Sequence, residues 1–153
     1  MPVARYARRR GAPREKLYRA LLVSNLVTIE QKSGIGRLSA YCGAVSAGVG
    51  AGIAYLLDGG YEAIAHTVVN AVAILSGTIC DGAKPSCAAK IAASVDAGIL
   101  GYQMYKHRRE FKGGEGIVTK GVDNTIRNIG ILASEGMRET DRTILSIMTR
   151  PCD

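Results

Sequence analysis

The sequence has no tryptophan, a single phenylalanine and only 5% aromatic residues. A core of interdigitated rings is therefore excluded. Much of the 47% hydrophobic content is alanine, beside nineteen glycines. Such a composition implies helices packed at close backbone distance. Acidic residues are also short, thirteen against twenty Lys and Arg, giving a formal charge of +7 and a pI of about 9.4. No continuous apolar run follows the first residues, where Met1-Pro-Val-Ala leads into arginines, so a signal peptide is not expected. Clustered cysteines without one point to metal binding or catalysis in a cytoplasmic protein, not to a disulfide framework.

At 153 residues the chain is read as one domain, 1–153, large enough to bury a core. Residues 38–57 carry no formal charge, and residues 63–80 are nearly as apolar. Gly48 and Gly52 add a small-xxx-small spacing. These lengths approach the ~20 residues of a membrane span. Gly, Ala and Ser dominate them, however, with Tyr41, His66 and Asn70 inside, and mean hydropathy is only +0.08. They are read as buried helices of a soluble bundle, with no membrane partner.

Helical spacing organises the rest. Residues 1–11 resemble a helix end. Pro13 opens a helix that ends before Gly34-Ile-Gly36, and further helices are expected over 38–57, 61–79 and 85–106. Four glycines, Gly113, Gly114, Gly116 and Gly121, mark residues 110–121 as a loop. Helices over 122–134 and 140–148 follow, with Gly136 placed for a left-handed cap. No strand alternation is present. The fold class is all-α, a compact bundle of about five to seven helices rich in Gly and Ala.

Arg5, Arg8, Arg9, Arg10, Arg14, Lys16 and Arg19 concentrate the positive charge. A nucleic-acid arm has this look. So does a solvated helix face, and no base-reading motif accompanies them; the solvated face is preferred, with no nucleic-acid partner.

The chemistry lies in the cysteines. Cys80 and Cys87 stand seven apart around Asp81-Gly-Ala-Lys84-Pro85-Ser, a spacing foreign to zinc ribbons and to thioredoxin-type dithiols. One thiolate would come from a helix end and the next from a helix start, where the helix dipole and Lys84 favour the ionised sulfur. Cys42 sits near the start of another helix, so the three can converge at one end of a bundle. Three thiolates are one fewer than a closed four-iron cluster requires. Burial as small hydrophobes is the competing reading. Asp81, Lys84 and Arg37 are candidate contacts for a substrate or for the outer side of the site. His66 and Asn70, one turn apart, are as readily satisfied core residues as site residues. Cys152 is taken as incidental.

The runs Ile35-Gly-Arg-Leu-Ser-Ala-Tyr-Cys42-Gly, Ile79-Cys80-Asp-Gly-Ala-Lys84-Pro-Ser-Cys87 and Glu135-Gly-Met-Arg-Glu-Thr-Asp141 resemble the C-terminal half of L-cysteine desulfidase. That family is a branch of the iron–sulfur-dependent serine dehydratase alpha-chain superfamily. The resemblance implies that Cys42, Cys80 and Cys87 hold a [4Fe–4S] cluster with one iron open to an amino-acid substrate. It implies a lyase that converts L-cysteine to pyruvate, ammonia and sulfide, and a catalytic base in an N-terminal half that nothing here matches. The chain is accordingly expected to be a fragment or a split half, inactive without a partner, and able to form a homo-oligomer. An L-serine dehydratase alpha-chain fragment is the alternative within lyases. A non-catalytic helical interaction module is the alternative outside them.

Overall fold

The short, small-residue segments between Gly and Pro punctuation set the helix lengths. The structure is a computed structural model that describes residues 2–35, 43–82 and 84–150, the side chains of residues 44 and 45 excepted. Its helices are α1 (Pro2–Arg9), α2 (Arg14–Ile35), α3 (Ala44–Leu56), α4 (Tyr61–Ile74), α5 (Pro85–Lys106), α6 (Val122–Ile131) and α7 (Arg138–Met148). No β-strand occurs among the described residues, and the all-α expectation holds.

Helix α3 is the centre. Its residues 46–54 are all buried, and it packs on α2, α4 and α5. Glycine makes that possible. A Cβ on Gly48 would strike the Thr28 hydroxyl of α2, and one on Gly52 would stand 3.0 Å from the Ala20 carbonyl. One on Gly98 of α5 would lie 2.5 Å from the Ser46 carbonyl and 2.8 Å from the Gly50 nitrogen. The small-xxx-small pattern thus serves helix contact within the bundle. No described helix is long and apolar enough to cross a membrane.

Directions follow from the cross-links. His66 stacks on Tyr105, and the Asn70 side chain bonds the Gly101 carbonyl, so α4 and α5 are antiparallel. Ser46 reaches the Ala71 carbonyl and Gly50 faces Thr67, so α3 is antiparallel to α4 as well. The N-termini of α3 and α5 therefore share one end of the bundle with the C-terminus of α4. Gly48 beside Ser24 and Thr28 brings the end of α2 there too, and the close approach of Gly34 to Gly130 adds α6. The main core lies just inside that end, built from Ile35, Ala47, Val72, Ile129, Ala133 and Met137 among others.

Two boundaries differ from the sequence reading. α4 stops at Ile74, not at 79, because Leu75–Gly77 turn out of the helix. Gly136 does not cap a helix in the left-handed region; it is absent from the positive-φ glycines. Instead Leu132–Gly136 form a π-helical turn that carries α6 on toward α7. A wider turn accommodates the extra residue without breaking the chain's helical path, and such bulges recur at functional sites.

The basic residues Arg5, Arg8, Arg9, Arg10, Arg14 and Arg19 are exposed on α1, the turn after it and the start of α2. Several engage neighbours: Arg14 Nε donates to the Tyr18 hydroxyl at 2.6 Å and Arg19 pairs with Glu15 at 2.6 Å. Lys16 reaches Asp58 at 2.6 Å.

Candidate functional site

Pro85 occupies the first turn of α5, where its missing N–H costs nothing, and Lys84 is the N-cap residue in extended conformation. The helix thus begins where the sequence placed it, with Cys87 in its first turn; the Cys87 amide bonds the Lys84 carbonyl at 2.9 Å. Cys80 lies in the preceding connection. Both thiols are half-buried. Gly82 takes a φ of 94°, which a side chain would resist, and this bend returns the chain from Cys80 toward α5.

The turn is clamped. Lys90 Nζ donates to Asp81 Oδ1 at 2.6 Å. That hydrogen bond holds the Asp81 carboxyl below its ordinary range, assisted by the residue's own backbone amide and by the charges of Lys90 and Lys84. Lys84 itself is exposed and acts on Asp81 only through its charge. Lys90 was not singled out from sequence. It falls three residues after Cys87, on the same helical face, but its pairing with Asp81 crosses the turn, which helical spacing does not reveal.

Cys42 and Arg37 lie outside the described residues, as does Cys152. Gly43, next to Cys42, is described: it is buried at the N-terminus of α3, at the same end of the bundle as Cys87. Among the described residues no group of three or more His, Cys, Asp or Glu could hold a metal. Of the three candidate ligands the described residues thus include two, Cys80 and Cys87, while the Asp81 carboxylate is engaged by Lys90.

Gln31, one turn from the end of α2, is a second residue the sequence did not flag. It is 1% exposed, and among the described residues neither its Oε1 nor its Nε2 has a hydrogen-bond partner. A buried amide left unmatched costs about 1–3 kcal/mol. Its sequence neighbourhood is plain helix, which is why no pattern exposed it.

His66 and Asn70 are elsewhere. His66 lies eight residues from the end of α4, about 12 Å along the axis at ~1.5 Å per residue. Its Nδ1 is 2.5 Å from Glu110 Oε2, and the pair borders an open cavity of about 480 Å³ lined also by Val69, Phe111 and Val118. Asn70 is fully buried and satisfied: its Nδ2 donates to the Gly101 carbonyl and its Oδ1 accepts from the Phe111 amide, each at 3.1 Å. It fastens the loop after α5 to the core.

Residues 1–146 match the family described as serine dehydratase alpha chain. A UPF0597 protein of Desulfitobacterium hafniense is 63% identical across 99% of this chain, which covers 36% of that relative. A UPF0597 protein of Finegoldia magna is 52% identical across 97% of the chain and 36% of its own length. For one of Treponema denticola the figures are 47%, 98% and 35%. The chain therefore spans about a third of the curated relatives it matches. No solved structure matches it. The family match covers nearly the whole chain, which belongs to the serine dehydratase alpha-chain family.

Proposed function

We propose that this chain is the cluster-binding part of a lyase of the L-cysteine desulfidase type, with Cys42, Cys80 and Cys87 as the ligands of a [4Fe–4S] cluster. The observation that carries the reading is the clamped turn between α4 and α5. It carries two half-buried thiols on the side of the bundle toward which the N-terminus of α3, two residues after Cys42, also points. The described part of the donor set fits iron: thiolates are the ligands such clusters use. When bound, the cluster would supply a Lewis-acidic iron for the substrate's leaving group.

The chain's own residues would do the rest. Lys90 pairs with Asp81 and so ties the turn between the two cysteines to the first turns of α5. Lys84 stays exposed at the α5 N-terminus, where its charge and the helix dipole together attract a substrate carboxylate. Arg37 is a further candidate for that contact. The base that removes the substrate's α-proton is assigned to a region outside this chain, in keeping with the relatives' greater length. A partner segment or subunit and a cytoplasmic site of action belong to the same proposal.

Anaerobic reconstitution tests it. Wild-type protein is expected to take up iron and sulfide in about equal amounts, and Cys80→Ser with Cys87→Ser to lose most of both. Equal uptake by both proteins would remove the ligand assignment.

The family's description favours a second substrate, L-serine. Ammonia release from serine and from cysteine, with the complementary region supplied, separates the two.

A further inference from the structure

Helix α2 carries a second apolar face that the bundle does not use. Residues 20–29 contain no charged side chain at all. The inward side of this stretch packs on α3 and α6, through Ala20, Ser24 and Thr28 on one flank and Val23 and Val27 on the other. The outward side still presents Tyr18, Leu22, Leu26 and Ile29, which are 50%, 61%, 64% and 61% exposed. Their spacing of four, four and three residues draws one stripe along the helix. A helix that is apolar all round belongs in an interior, and a contiguous exposed stripe of this size marks an interface.

The stripe does not stop at α2. Leu26 also borders a groove of about 440 Å³ between α2, α4 and α6, floored by Val27, Ile64, Val68 and Ile126. Tyr61, 76% exposed, stands at its far rim and leads into the cavity beside His66. Stripe and groove are therefore joined through Leu26 into one largely apolar surface, with the carboxylates Glu30 and Asp123 also lining the groove. The relatives supply an occupant of the right scale: roughly two thirds of their length lies outside the match.

We propose that the α2 stripe and the groove at Leu26 form the docking surface for the polypeptide region that the relatives carry beyond the matched part. This rests on the reading above that such a region completes the protein, and it names where that region sits. Leu22 and Leu26 are its central contacts on this chain.

The test mixes this chain with the separately produced remainder of the Desulfitobacterium hafniense relative and measures association by sedimentation velocity. Wild-type chain is expected to bind with micromolar or tighter affinity. Leu22→Glu with Leu26→Glu should weaken binding at least tenfold with an unchanged circular dichroism spectrum, while Ile147→Glu on α7 should leave it intact. A second readout does not depend on the separated region folding. In the intact relative, hydroxyl-radical footprinting should find the helix aligned with α2 several-fold more protected than α2 is in this chain.

Binding unaffected by the double substitution would overturn the proposal. So would a wild-type chain that dimerises through the stripe, or an α2 face as reactive in the intact relative as here. Neither readout requires iron, so a failed cluster assignment and a failed docking surface give different results.

Discussion

Replacing Gly98 by alanine puts one methyl group where α3 and α5 cross. A Cβ there would stand 2.5 Å from the Ser46 carbonyl oxygen, 2.8 Å from the Gly50 nitrogen and 3.2 Å from the Gly50 Cα. All three are backbone atoms of a buried helix, so none can swing aside as a side-chain tip would. Relief requires the helices to separate, and overpacking of this kind costs about 1–3 kcal/mol or more. Alanine's better helix propensity returns about 1 kcal/mol at most. The steric term wins, for a net loss of about 1–2 kcal/mol and a Tm lowered by about 2–8 °C in a chain of this size. Gly77→Ala is the control, since nothing lies within 4 Å of its Cβ position; its stability should stay within about 0.5 kcal/mol of wild type. Urea unfolding followed at 222 nm gives both values. A Gly98→Ala protein as stable as wild type would refute the close-packed crossing of α3 and α5.

Other outcomes follow from single side chains. Asn70→Leu leaves the Phe111 amide without its acceptor, while the Gly101 carbonyl keeps its place in α5; a loss of about 1–3 kcal/mol is expected in the same unfolding assay, for the one orphaned group. Gln31→Leu should act oppositely, raising stability by about 1 kcal/mol, because both polar ends of the native side chain are buried without partners among the described residues; destabilisation would show that the amide is matched. For Asp81 the folded pKa is depressed, so its contribution is fully present above the ordinary carboxylate pKa and is lost as pH falls through the lowered folded value. Amide exchange in the Cys80–Cys87 turn, corrected for its intrinsic pH dependence, should stay protected at pH 4 and loosen only in stronger acid; loosening that begins near pH 5 would contradict the Lys90 clamp. In Lys90→Met that extra acid tolerance should vanish.

Much of this architecture was legible in the sequence because punctuation carries it. Pro85 fixed the start of α5, and with it Cys87 in a first helical turn. The glycine spacing of α3 announced close packing, though not which partners each glycine would meet. The sequence misled where the physics is non-local. Gly136 has the local signature of a left-handed cap, yet continuation through a π-turn keeps Ala133 and Met137 in the core beside Ile35 and Ile129. The Asp81–Lys90 pair spans nine residues across a turn, beyond the reach of a helical repeat until the turn's geometry is known. Gln31 is invisible to pattern because its oddity is a missing partner. Asn70 could equally have served a site or a core, and only its two backbone bonds decide for the core.

The central claim concerns which sulfurs meet iron, and alkylation mapped by mass spectrometry reads them one at a time. Protein reconstituted anaerobically with iron and sulfide is treated with iodoacetamide beside an untreated apo sample. Peptides carrying Cys42, Cys80 and Cys87 should be protected by loading, while Cys152 labels equally in both. Equal labelling of all four cysteines with and without iron, or protection confined to Cys152, would contradict the assignment.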